Sequence, residues 1–405
     1  MMLKLKIAIR NVLRNGRRTF LSTAIIAGGI AAIALFQGLT HNLLAQMSDG
    51  VVNLQFGHLE FASEKIWTPK PGDHLRDRLI KLDSKLQDKI SHNPSIAYAS
   101  GRINFFGLVS FGEQSLSAHG TGYDPENETQ LNHSLRFTSG RSLNKNGARE
   151  VVVGATVARY LGLKVGDTLT LMAHTYDGAM NAYDCEVVGL FENGLKEIDN
   201  GFYISLATAQ SFLDTDGGIE EFVVHLNRTD DTEAVKTWLQ AQMPGGWEVK
   251  SWQELSDLYR QVVDFHKMEN RIVMWLFMVL ALMATLSTVS LTIFERTGEI
   301  GTQRAIGDSR TSILGQFVLE GIAAGTFGGA LGITFGFIGS KILNWCQLQI
   351  VIPGMTFPTA IQFDVLPWAF RDAVLVMCLV ALAATLIPAY RASHMEIVEA
   401  LKRNV

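Results

Sequence analysis

The chain has 405 residues, of which 47% are hydrophobic and only 18% charged, so there is room for a substantial folded domain and several membrane spans. Its net charge of −4 hides an asymmetry: residues 47–270 carry 20 Lys/Arg against 31 Asp/Glu, and the remainder carries 15 against 8. An acidic block between basic, apolar flanks excludes nucleic acid as a natural partner, and three cysteines without a CxxC pair build neither a disulfide framework nor a thiolate metal site.

In chain order, residues 1–18 carry Lys4, Lys6, Arg10, Arg14, Arg17 and Arg18 and no acid. At helical spacing Leu5, Ile9 and Val12 share one face and the basic residues another, as in a helix lying among lipid headgroups. Simple positive-inside flanking charge explains the same residues equally well. Span one, 19–46, contains a charge-free run from Thr19 to Leu44. It is longer than a signal-peptide core and no A-x-A-like site follows, so a retained anchor is expected.

Residues 47–270 form the expected outer domain. Leu54–Ala62 reads as a strand and Asp73–His92 as an amphipathic helix. Glycine-punctuated Phe/Val/Ser runs from Tyr98 to Gly122 read as β structure. Glu150–Thr170 reads strand, short helix, a turn at Gly166-Asp167, then strand; Asp184–Phe191 and Gly201–Ile204 add two more. The division expected is a β-rich subdomain at 47–217, a smaller α+β subdomain at 218–250 and a stalk helix at 251–270. The smaller unit reads as strand Glu221–Leu226, helix Thr232–Gln242 and strand Trp247–Lys250. From Trp252 to Phe294 the helical pattern meets no Pro or Gly, which predicts one continuous helix into the membrane.

Span two covers 271–294, a polar segment 295–312, span three 313–343, a short outer loop 344–364, span four 365–390 and a tail 391–405. Arg296, Arg304 and Arg310 lie between spans two and three, and Arg391, Lys402 and Arg403 follow span four. Residues 344–370 have no Lys or Arg. By the positive-inside rule both termini and the 295–312 segment face the cytoplasm. Span three holds Gly321, Gly325, Gly328, Gly329, Gly332 and Gly336 in overlapping G-x-x-x-G pairs. These suit close helix packing, either within one subunit or between two. Glu320, near its start, fits an interfacial carboxylate or a proton relay.

Catalytic signatures are missing from the sequence. There is no HExxH, no G-x-S-x-G and no Gly-Lys dipeptide from which a Walker A loop could be built; Ser142–Lys145 matches S-x-x-K only as chance allows. The expectation is a chain without its own catalysis, metal or cofactor.

The stretch Glu295-Arg-Thr-Gly-Glu-Ile-Gly-Thr-Gln-Arg-Ala-Ile-Gly307, placed after the second span, resembles the signature of the MacB/FtsX-type ABC permeases. Ala8–Asn15, Glu150–Gly154 with Leu161–Asp167, and Pro388–Ser393 with Glu399–Leu401 resemble further family motifs in the same order. The resemblance implies four transmembrane helices with a large α+β extracytoplasmic domain between spans one and two. It also implies that Glu299, Ile300, Gly301, Arg304, Ala305, Ile306, Gly307 and Arg310 form the segment that couples to a separate cytoplasmic ATPase, which would bind ATP and Mg. Glu299 and Arg304 would be its charged contacts, and Gly298 stands where many relatives carry a basic residue. A second permease subunit, a periplasmic carrier or adaptor and membrane lipids complete the implied partners, in a bacterial inner membrane.

The length, the missing Walker loop and Gln55–Leu59 look most like the lipoprotein-releasing (LolC/LolE-like) permeases, which act by mechanotransmission. The alternatives are MacB-like efflux of a toxin, peptide or small amphiphile, and an FtsX-like scaffold that activates a cell-wall hydrolase.

Overall fold

The computed structural model describes residues 16–144, 149–351 and 358–395. The basic opening segment up to residue 15, Lys145 and the Glu399–Leu401 motif lie outside the described residues. The chain divides into two compact units, residues 1–45 with 262–350 and 360–405, and residues 46–261 with 351–359.

The first unit is built from α1 (Gly16–Val51), α2 (Asp257–Glu295), α3 (Thr297–Ala305), α4 (Arg310–Trp345) and α5 (Pro367–Ser393). Four of these, all but the nine-residue α3, are long and apolar enough to cross a membrane. Ile26, Ile30 and Ile33 of α1 pack with Ala281 of α2 and Ala373, Met377 and Ala381 of α5 into one apolar cluster. A second cluster, from Ile293, Ile300, Ile313, Phe317, Ala389 and Ala392, closes one end of the bundle. Of the four, α2 is the least covered: Trp275, Leu276, Leu280 and Met283 are all exposed, as a lipid-facing surface requires.

The second unit is dominated by ten strands. They are β1 (Leu59–Ser63), β2 (Ile96–Phe111), β3 (Gln114–Tyr123), β4 (Phe137–Gly140), β5 (Glu150–Gly154), β6 (Thr168–His174), β7 (Met180–Phe191), β8 (Gly201–Ser205), β9 (Glu221–Leu226) and β10 (Trp247–Ser251). Six of them close on themselves in the order β2-β3-β8-β5-β7-β6, with β6 returning to β2. Closure leaves no open edge among these six strands. The interior is filled by Ile103, Val109, Val151, Val153, Leu169, Leu171, Val187, Phe202 and Ile204. The first half of β2 leaves the ring to join a four-stranded sheet, β10-β1-β9-β2.

That sheet changes the division expected from sequence. The small subdomain does not begin at residue 218: β1, the helix Ser84–Ser91 and the first half of β2 belong with β9, β10 and the helix Thr232–Gln240. Leu59, Phe61, Leu86, Ile90, Val224, Leu239 and Val249 make its core. The two ends of the segment pair because β1 fits between β9 and β10, a long-range pairing that local pattern does not encode.

Three local expectations are also corrected. Residues Val52–Phe56 form a π-helical turn, so the strand expected from Leu54 starts at Leu59. Gly57, at φ +65°, makes the transition, and its N–H bonds back to the Val52 carbonyl at 3.0 Å. The Asp73–His92 helix is only Ser84–Ser91, preceded by a 3-10 turn at Leu75–Arg78. Between the two, Ile80 exchanges backbone bonds of 2.8 and 3.0 Å with Ile219, so tertiary pairing overrides helical spacing. The stalk, expected from Trp252, breaks at Ser256, which has extended backbone. The Ser251/Glu254 capping box closes a single turn, and the Ser256 hydroxyl accepts the Tyr259 N–H at 3.2 Å to start α2 afresh.

Candidate functional site: the α2–α4 connection and the buried polar layer

The family-like segment folds as α3, a helix of nine residues, followed by a reversal at Gly307 with φ +111°. Only a residue without a side chain adopts that backbone cheaply. Ser309 then caps α4, its hydroxyl accepting from the Ser312 N–H at 3.2 Å. Gly301 lies inside α3. Its burial, together with that of Gly298, Thr297 and Ile300, sets this face of α3 against the bundle end.

The eight residues expected to couple to an ATPase therefore divide by environment. Ile300 and Gly301 are buried. Arg304 donates from Nη1 to the Ser393 carbonyl at 2.8 Å, tying α3 to the end of α5. Glu299 is 58% exposed and accepts from Arg296 Nε at 3.2 Å. Ala305, Ile306, Gly307 and Arg310 are exposed, and Ile306 is 83% so. A large aliphatic side chain held open at a helix end is the feature of this segment that its own subunit does not explain.

Sequence reading missed Arg296 as an organising residue. Its Nη1 donates to both Glu320 oxygens, at 3.0 and 3.3 Å, and its guanidinium lies 5.6 Å from the centre of the Phe317 ring. Glu320 is thus the partner in an ion pair between α4 and the start of the connection, 16% exposed. Asp364 was missed as well: it binds His41 Nδ1 at 2.9 Å, pinning the start of the last span segment to α1. The signal for Arg296 was present, since a basic and an acidic residue flank one span end; nothing local indicated Asp364.

The glycines of α4 fall on two faces. A Cβ at Gly328 or Gly332 would stand 2.7 Å from Ile26 Cγ2 or Ile30 Cβ of α1, and one at Gly336 would stand 2.6 Å from Phe370 of α5. On the other face, Gly321 meets Thr385, Gly325 meets Cys378 and Gly329 meets Val374, all on α5. The small-residue stripe is spent on packing α4 between α1 and α5 of the same chain.

In the outer domain, the apolar face of the four-stranded sheet is covered by its two helices, but the opposite face is polar and also buried. Registered across the strands lie Tyr98 opposite His225, Ser100 and Glu60 opposite Val223, and Arg102 opposite Glu221. Arg102 Nε donates to Glu128 at 3.0 and 2.9 Å, Nη2 donates to the same carboxylate, and Nη1 donates to the Gln55 carbonyl. Both members of this pair are buried. Among the described residues, Glu60 Oε2, Tyr98 Oη, Ser100 Oγ and His225 Nε2 have no hydrogen-bond partner. Burial drives Glu60 well above the ordinary carboxyl range, reinforced by the neighbouring Glu221. Burial and Glu221 also push Glu220 up to about 7, while burial pushes His225 down to about 3.

Comparison with known proteins places both units. Residues 19–242 match the MacB-like periplasmic core domain, and residues 271–397 match the FtsX-like permease C-terminal domain. The chain belongs to the MacB/FtsX-type permease superfamily. It is 28% identical to the lipoprotein-releasing system transmembrane protein LolC of Xylella fastidiosa (strain Temecula1), over 96% of this chain and 95% of that one. It is 24% identical to the macrolide export ATP-binding/permease protein MacB of Campylobacter jejuni, over 81% of this chain and 52% of that one. The crystal structure of the periplasmic region of MacB from Actinobacillus actinomycetemcomitans aligns with 51% of this chain at 14% identity and a TM-score of 0.36. A MacB/FtsX-type permease is a multi-pass membrane protein with a large extracytoplasmic domain, and the four apolar helices and the ten-stranded unit supply those parts here.

Proposed function

We propose that this chain is the permease subunit of a lipoprotein-releasing ABC machine in a bacterial inner membrane. The observation that carries this reading is the match to the LolC protein along nearly the full length of both chains, whereas the MacB match covers about half of that protein. In this reading the basic span flanks place both termini and α3 in the cytoplasm. The exposed end of α3, from Ala305 to Arg310 with Glu299 beside it, docks on a separate ATPase that binds ATP and Mg. Ile306 enters an apolar pocket on that partner, and Arg310 and Glu299 supply charge at the rim. The subunit itself performs no catalysis.

Force then passes along stiff elements. The 39-residue helix α2 has no Pro or Gly, and Arg304 and the Arg296–Glu320 pair lock α3 to the ends of α5 and α4. Docking motion at α3 therefore moves helix ends instead of dissipating in a loose loop. The outer domain, in a pair of such subunits, closes on lipoprotein already at the outer surface and passes it to a periplasmic carrier.

The test is purification of the tagged chain from its native membrane with mass spectrometry of what accompanies it. A Walker-type ATPase, a second permease and lipoproteins are expected. An ATPase with an efflux adaptor and no lipoprotein would move the reading to MacB-like export, and absence of any ATPase would overturn it.

A further inference from the structure

The outer domain contains a cavity of about 490 Å³ that the release mechanism does not use. That volume suits a small organic molecule. Its walls combine two chemistries. Phe202 and Tyr203 of β8 and Phe56 of the π-turn supply aromatic surface, and Phe106 of β2 stands at it 76% exposed. The ring of His119 packs edge-on against Phe106 at 5.2 Å, and burial holds that imidazole below its ordinary pKa.

The charge lining the cavity is acidic. Arg102 reaches it, but its guanidinium is committed to Glu128 and to the Gln55 carbonyl. Glu221 faces the cavity while only 8% exposed, accepts from Asn104 Nδ2 at 2.5 Å, and has no ion pair among the described residues. Beside it lies Glu60, 2% exposed, with Oε2 unpartnered among the described residues. Burial and the neighbouring Glu221 drive Glu60 well above the ordinary carboxyl range, so the carboxylate presented to the cavity is that of Glu221. A second carboxylate, Glu197, stands exposed in the cavity wall and accepts from Gln55 Nε2 at 3.3 Å. Arg102 stands opposite Glu221 in the strand register and acts on it electrostatically, but its hydrogen bonds go to Glu128 and the Gln55 carbonyl, so a cation in direct contact with Glu221 would still gain. Aromatic faces around it add cation–π attraction that a neutral or anionic ligand would not gain.

We propose that this cavity binds a small organic cation, an ammonium group carrying an aromatic or aliphatic body, with Glu221 as its counter-ion and Phe106 closing over its apolar part. The site is separate from the coupling segment and independent of which cargo the machine moves.

The probe is benzyltrimethylammonium, compared with its uncharged isostere in which carbon replaces nitrogen, titrated calorimetrically into the full chain in a non-ionic detergent. Saturable binding of the cation is expected, with the isostere at least about tenfold weaker. Glu221→Gln should weaken the cation about tenfold or more, and Phe106→Ala severalfold, with unfolding temperatures near that of the parent. Should Glu221→Gln fail to fold, the exposed pair Glu197→Gln and Phe106→Ala decides, since neither disturbs the core. No saturable heat from the cation, equal binding of the isostere, or unchanged affinity in the variants would each overturn the proposal.

Discussion

Replacing Arg102 with Met is the most exposed test of how the outer domain is held together. The side chain is 3% exposed and its partner Glu128 is fully buried, so neither charge has access to bulk water. Arg102→Met fills a similar volume but removes the donors to both Glu128 oxygens and to the Gln55 carbonyl, the last being the bond that ties β2 to the π-turn. Leaving one buried charge without its partner costs about 3–5 kcal/mol. For a unit the size of residues 46–261 that corresponds to a fall in unfolding temperature of roughly 6–20 °C. The assay is thermal unfolding of the full chain, followed by a probe in the outer domain such as Trp247. The double replacement Arg102→Met with Glu128→Met should cost clearly less than the sum of the singles, because no orphan charge remains. A single variant costing under about 1 kcal/mol, or additive behaviour, would refute the view that this pair is energetically closed.

Further outcomes follow from other parts of the structure. Glu220, with a folded pKa of about 7 against 4.5 when free, contributes stability that is full below about pH 4.5 and lost as pH rises toward 7. Glu220→Gln should therefore flatten that decline in urea titrations between pH 5 and 8, gaining roughly 1–3 kcal/mol at the upper end; an unchanged slope would contradict the assignment. Gly332→Val should destabilise the helix bundle by about 1–3 kcal/mol through its clash with Ile30, whereas Gly315→Ala, which meets nothing within 4 Å, should be tolerated. Comparable heat stability of the two in detergent would mean α1 and α4 are not packed as described. Glu320→Arg should impair function and Arg296→Glu with it should restore function, as a structural ion pair requires; a proton relay would not be rescued by exchanging the charges.

Several of these features were legible in the sequence and others were not, for physical reasons. The four spans declare themselves because a bilayer demands about 20 apolar residues in one run, and the Glu150–Thr170 pattern folds as read because strand, helix and the Gly166 turn are each locally encoded. The role of β1 was illegible: its partners lie over 150 residues away, and LEFAS reads the same whether it sits at an edge or between β9 and β10. The Asp73–His92 pattern misled because Leu75, Leu79, Leu82, Leu86 and Ile90 do follow helical spacing, yet between them Ile80 pairs with Ile219 as extended chain. Within the segment expected to couple to an ATPase, the sequence could not sort buried from exposed positions. The same few residues hold Ile300, on the buried face of α3, and Ile306, exposed at its C-terminal end just before the reversal at Gly307. Arg304, read as a docking charge, carries a carbonyl bond to Ser393 that only the packed α5 supplies.

The central claim, that this subunit is driven through the exposed end of α3, is tested most directly by site-specific photo-crosslinking in native membranes. A photoreactive side chain at Ile306 should join the chain to a nucleotide-binding ATPase, while the same group at Ile300, buried against Phe317 and Ala389, should not. Cross-links from Ile306 that lead only to lipid, or to no ATPase at all, would contradict the account.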